Sequence, residues 1–259
     1  GVDNTLMGRA LDAEVFEELG EVDLSGIDPD LQLDDTGTLA PVQYGDVCVN
    51  YDVAALADAG VAPPETFEDL TEPRFSGRLV VENPATSSPG LVFLAATSQL
   101  FGDGAEEFWT DLRENDVAVS GSWDDAWNIL YSVNGGDRPL VVSYASSPPA
   151  EVYYSEGERS EPASGVATGT CARQVEFASV LRGAAEPALG RRLIEEMLSP
   201  EWQAALPLTN FVLPARTGTE LPPEFADHFV APVDPVVLDP VLVDEQRDEW
   251  IDRWRSLLE

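Results

Sequence analysis

Along the chain the apolar positions change period repeatedly, from every second residue to spacings of three and four. Leu6, Met7, Ala10, Leu11, Val15, Phe16 and Leu19 follow a turn-like Gly1-Val-Asp-Asn4 start and predict an opening helix. An Asp-rich polar stretch, 21–38, separates it from an alternating strand over 42–51. Residues 52–60 predict a short helix stopped by Gly60, and 78–82 a short strand. Helices are predicted over 90–101 and 105–113, a strand over 116–120, and a helix over 123–132 with Ser122 as its N-cap. A strand over 139–144, a helix over 148–154 and a strand over 174–181 follow. Pro187 and Pro200 suit the first turns of a helical pair, 187–198 and 200–206. The closing helix carries an apolar face of Trp250, Ile251, Trp254, Leu257 and Leu258. Strands alternating with helices predict an α/β chain with mainly parallel sheets. The Pro-rich stretches 221–223 and 232–240 read as surface connections.

With 259 residues and 44% of them apolar, the chain can bury one large core or those of two lobes. Its 48 acidic residues against 14 basic ones, all Arg, give a formal charge of −34. Nucleic acid would meet repulsion with no basic cluster to offset it. Without Lys, Schiff-base chemistry and a Walker-type phosphate lysine are impossible. His228 is the only histidine, which excludes multi-histidine metal sites. No apolar run of about 18 residues is present to cross a membrane as a helix.

Two strand-to-helix turns concentrate hydroxyls: Asn83-Pro-Ala-Thr-Ser-Ser-Pro-Gly90 and Ser143-Tyr-Ala-Ser-Ser-Pro-Pro149. Turns at the carboxyl ends of strands are where open α/β sheets bind ligands, and helix starts offer free N–H groups. The plain alternative is two well-made helix caps. Neither turn is a Gly-x-Ser-x-Gly elbow, which argues against a serine nucleophile. Trp123 at a helix start and Tyr144 at a strand end are placed to stack on a flat or cationic ring, although core packing is the commoner role of an aromatic. Tyr153-Tyr154 admits a ferric site, but ordinary helix aromatics explain such a pair more often, and the sequence places no His or carboxylate partner for iron. Cys48 and Cys171 fit either a disulfide or two buried thiols.

Taken together, Tyr44-Gly-Asp-Val-Cys-Val-Asn-Tyr-Asp52, Asn83–Leu91, Ser143–Glu151, Cys171–Phe177, Pro207–Pro214 and the closing Trp250…Trp254 helix resemble the thiamine-binding substrate-binding proteins of ABC importers. The resemblance runs nearly end to end. It implies a two-lobed, periplasmic-binding-protein-like (type II) α/β fold, with residues 1–45 and 172–213 in lobe one and 46–171 and 214–259 in lobe two. It further implies that Cys48 and Cys171 lie on neighbouring hinge strands as a disulfide. Relatives carry further mature residues before the segment matching Gly1-Val-Asp-Asn4, so lobe one is expected to be incomplete. Carried over by position, the ligand residues are Ser87, Ser88, Trp123, Tyr144, Ser146, Ser147, Phe211, Asp3, Asn4 and Tyr44. Pro149-Ala150 stands where some relatives have a stacking tyrosine, a place that Tyr153 or Tyr154 could fill.

The expected function is non-catalytic capture of thiamine or a thiamine phosphate outside the cytoplasm, with delivery to a membrane ABC permease. No cofactor, no metal and a monomer are expected, at the periplasm or cell surface and with a lipid anchor as one option. The alternatives are a ferric-iron receptor using Tyr153 and Tyr154, and a serine hydrolase using Ser87 or Ser147 with His228.

Overall fold

The computed structural model describes residues 2–259. In chain order the strands are β1 (Val2–Asp3), β2 (Ala40–Asp52), β3 (Leu79–Glu82), β4 (Ala118–Ser120), β5 (Leu140–Tyr144), β6 (Ser164–Ala178), β7 (Leu213–Pro214) and β8 (Val236–Val237). The helices are α1 (Met7–Asp12), α2 (Val53–Ala59), α3 (Ser88–Phe101), α4 (Ala105–Glu114), α5 (Trp123–Asp125), α6 (Ser147–Tyr154), α7 (Pro187–Met197), α8 (Pro200–Thr209), α9 (Pro223–Ala226) and α10 (Pro240–Leu258).

One sheet organises the molecule in the order β1-β6-β2-β5-β3-β4, with β7 added to β2 and β8 to β6. The expected parallel pairing holds for β5-β3-β4 and for β6-β8. The long strands β2 and β6 pair antiparallel, because they pass between two cores in opposite directions. The sheet is therefore mixed.

The larger core gathers Val81, Phe93, Trp109, Leu140, Ile251 and Trp254 around α3, α4 and α10. The smaller one gathers Met7, Leu19, Leu31, Val42, Phe177 and Ile194. Both draw on β2 and β6, which therefore cross from one to the other. A disulfide joins Cys48 to Cys171 where they cross, 123 positions apart in sequence. Helix α10 contributes Val243, Ile251 and Trp254 to the larger core. Its first turns lean on α1, where Arg9 Nη2 meets Asp248 at 2.9 Å.

The opening helix and the strand over 174–181 change length. The opening helix ends at Asp12, because residues 15–17 run extended against 180–182. Phe16 and Leu19 still reach the core, so their helical spacing reported burial and not conformation. The strand expected over 174–181 begins ten residues earlier, at Ser164. Its first half is small and Gly-rich for close packing: a Cβ on Gly169 would fall 1.9 Å from the Glu65 carbonyl oxygen.

Candidate functional site: an aromatic cleft at the carboxyl edge of the parallel strands

Strands β3, β4 and β5 run parallel and end together at Glu82, Ser120 and Tyr144. Each is followed within a few residues by a helix start. Ser87 Oγ accepts from Gly90 N at the head of α3, and Ser122 Oγ accepts from Asp125 N at the head of α5. Both caps follow from Ser in extended backbone before a helical run. Beyond Asp125 the helix widens into a π-helical segment, Ala126–Leu130, in place of the regular helix expected through 132.

Between this edge and the crossing strands lies a cleft of about 350 Å³. The edge contributes Trp123, Tyr144, Ser146, Ser147, Ala150 and Tyr154; the crossing strands contribute Gly45, Gln174 and Glu176; the turn after α8 contributes Asn210, Phe211 and Val212. Trp123 stacks on Trp127 at 5.8 Å and stands 6.4 Å from Tyr144. Tyr154 packs on Phe211 at 4.9 Å and so supplies a ring beside Ala150. Phe211 holds a left-handed backbone, φ 51°, a strained conformation for a bulky residue that occurs here at the cleft wall.

The polar groups are wired underneath. The Trp123 indole N–H donates to Ser143 Oγ at 2.9 Å, and Ser143 Oγ lies 2.9 Å from Ser147 Oγ. Glu176 Oε2 accepts from the Gln43 amide at 2.7 Å, and Gln174 donates to Asp3 Oδ2 at 2.8 Å. Burial raises the Tyr144 phenol above its usual range, and the carboxyls of Glu82, Glu176 and Asp3, when ionised, push the same way. No basic residue lines this cleft among the described residues. The site therefore offers π faces, hydroxyls and negative potential, a combination suited to a flat cation.

Of the residues carried over by resemblance, Trp123, Tyr144, Ser146, Ser147 and Phe211 come together here. Asp3 reaches the cleft only through Gln174. Asn4 is buried and spans the β6 backbone, donating to Arg173 O and accepting from Val175 N. Ser87 and the exposed Ser88 stay at the head of α3 and do not line the cleft. Tyr44 faces a different hollow of about 370 Å³, under the Arg173 guanidinium at 4.6 Å. Strand alternation explains this: its neighbour Gly45 faces the cleft, so Tyr44 points the other way. In that second hollow Asp46 already neutralises Arg173 with two hydrogen bonds.

Gly45, Gln174, Glu176, Asn210 and Val212 escaped the sequence reading. The alternation of Gln174 and Glu176 on β6 could have flagged that pair. Ser147 Oγ bonds Ser143 and the Tyr144 amide, and no hydrogen bond among the described residues joins His228 to a serine hydroxyl.

The rings and hydroxyls of this cleft suit the binding of a flat ligand. The chain belongs to the family of bacterial extracellular solute-binding proteins, whose pattern matches residues 2–239. It is similar to the thiamine-binding periplasmic protein of Escherichia coli (strain K12), 28% identical over 256 residues that span 98% of this chain and 74% of that protein. A thiamine-binding periplasmic protein of Brucella suis biovar 1 is 28% identical over 215 residues, 83% of this chain and 61% of its own length. Among solved structures, a periplasmic thiamin binding protein superposes with a TM-score of 0.83 at 26% identity, covering 100% of this chain and 77% of that one. Iron-bound HitA from Pseudomonas aeruginosa shares the fold, with a TM-score of 0.77 at 21% identity over 98% of this chain and 80% of its own. These relatives place the chain among two-lobed periplasmic binding proteins.

Proposed function

We propose that this chain is the thiamine receptor of an ABC importer, working outside the cytoplasm. The supporting observation is the single cleft in which Trp123, Tyr144, Tyr154 and Phe211 meet the hydroxyls of Ser146 and Ser147 and the carboxylate of Glu176. A thiazolium ring over a desolvated aromatic face gains about 1–2 kcal/mol. The negative lining adds to that attraction. An anionic phosphate ester has no cationic partner in this cleft, although Arg159 lines an adjoining hollow, so free thiamine is the favoured ligand.

Residues 1–45 and 172–213 form lobe one in this reading, and 46–171 with 214–259 form lobe two. Closure of the lobes over the ligand would present a surface to the permease, with the receptor working as a monomer, in the periplasm or lipid-anchored at the cell surface. The iron reading receives less support, because the similar proteins of known ligand at 26–28% identity are thiamine-binding, whereas iron-bound HitA shares the fold at 21%.

Calorimetry with thiamine, its mono- and diphosphate and ferric citrate tests the assignment. Saturable heat with thiamine, weakened by each added phosphate, is expected. Absence of thiamine heat combined with saturable iron uptake would overturn it.

A further inference from the structure

On β3, the neighbour of the strand that carries Tyr144, lies a buried acid whose carboxyl has no hydrogen-bond partner among the described residues. Glu82 ends β3 as the register partner of Ser120 on β4. The β3–β5 register, Val80 opposite Val141, carried on by two residues, sets it beside Ser143, the acceptor of the Trp123 indole. Its side chain is 1% exposed, and neither carboxyl oxygen has a hydrogen-bond partner. Helix α3 seals it from the other side: a Cβ on Gly90 would fall 2.5 Å from the Glu82 carbonyl oxygen. A buried acid left unsatisfied in this way asks for a physical reason.

The surrounding elements bring it no positive charge. Helix α3 and strand β4 carry no ionisable residue, and β5 carries only Tyr144. The turn after β3 meets Glu259 through Asn83, α5 brings the exposed Asp124 and Asp125, and Glu176 and Asp3 act on the same Tyr144 phenol. Burial without a cationic partner accordingly favours the protonated form and lifts the Glu82 carboxyl well above the usual carboxylate range.

We propose that Glu82 is a buried counter-ion for a positively charged ring, giving its proton to the solvent when such a ring settles on Trp123 and Tyr144. The step is simple ionisation: the carboxyl O–H bond breaks, the buffer takes the proton, and the carboxylate stays to face the cation. A neutral ring gains nothing from this exchange, so the device selects for charge. The inference rests on the thiamine reading above.

The test is calorimetric titration of thiamine at pH 7 in two buffers of very different ionisation enthalpy, such as phosphate and Tris. For the natural chain the heats should differ by up to about one released proton per thiamine. In Glu82→Gln the heats should coincide, and thiamine should bind about tenfold or more weakly, the scale of one charge pair at a partly screened separation. Glu82→Met, which lacks the amide, should lose the proton term equally, and circular dichroism checks that both variants fold. Buffer-independent heat in the natural chain, or release that survives in either variant, overturns the role of Glu82 and leaves thiamine capture standing. No thiamine heat in any buffer overturns both.

Discussion

Asp46 and Arg173 are register partners on β2 and β6, and their side chains are bonded twice, Nε to Oδ1 at 2.9 Å and Nη2 to Oδ2 at 3.1 Å. Asp46 is buried, and burial raises its carboxyl despite the guanidinium beside it. Removing the arginine therefore strands a desolvated acid. Arg173→Ala should lower unfolding free energy by about 3–5 kcal/mol in urea titrations. The double variant Asp46→Ala/Arg173→Ala should recover part of that loss, which a double-mutant cycle would read as coupling.

Trp123 plays two parts, a π face toward the cleft and an N–H anchored on Ser143. Trp123→Ala should weaken thiamine binding about 10- to 30-fold, the worth of one desolvated cation–π contact. Ser143→Ala keeps the ring but frees its N–H, and should weaken binding several-fold less. Fluorescence titration of the remaining tryptophans, compared with calorimetry, separates the two.

Ser87 provides a contrast, since its hydroxyl caps α3 and does not line the cleft. Ser87→Ala should cost about 1 kcal/mol of stability. Its thiamine affinity should stay within twofold of the natural chain. A tenfold loss would place Ser87 at the ligand after all.

Glu82 sets a pH dependence of stability. Its carboxyl is raised in the folded protein, so its contribution is fully present below the ordinary Glu range near 4.5 and fades as pH climbs through the raised folded value. Glu82→Gln should flatten that decline, and at pH 8 should gain about 1–3 kcal/mol over the natural chain. Melting temperatures measured from pH 5 to 9 decide it.

The disulfide closes a loop of more than a hundred residues, for which the chain-entropy argument gives about 5 kcal/mol. The paired change Cys48→Ala/Cys171→Ala should lower urea stability by about 2–5 kcal/mol. Thiamine affinity should change little, because neither cysteine lines the cleft.

Much of this was legible in the chain, for identifiable reasons. The cap at Ser122, and a cap at Ser87 or Ser88, were readable because capping is local chemistry. Trp123 and Tyr144 were readable because both stand next to element ends, where side chains meet solvent and ligands. Gln174 and Glu176 stayed hidden because which face of β6 meets the cleft depends on a register set by β2, more than a hundred positions away. Glu82 read as an ordinary strand-ending acid; its isolation arises only when α3 folds down over it. The opening helix was overrun for a similar reason, since the partner of residues 15–17 lies at 180–182.

Helix α10 adds a mechanical constraint. It is rooted in the larger core by Trp254 and Ile251 and rests its first turns on α1, which serves the smaller core through Met7. The two cores are therefore joined through the crossing strands β2 and β6 and through this seam, besides the ring contact of Tyr154 on Phe211 across the cleft. An object pinned at two supports has one easy freedom, a roll about the line through them. The receptor's stroke would then follow a track set by its own C-terminal segment, and trimming that segment would loosen the track before it disturbed the cleft.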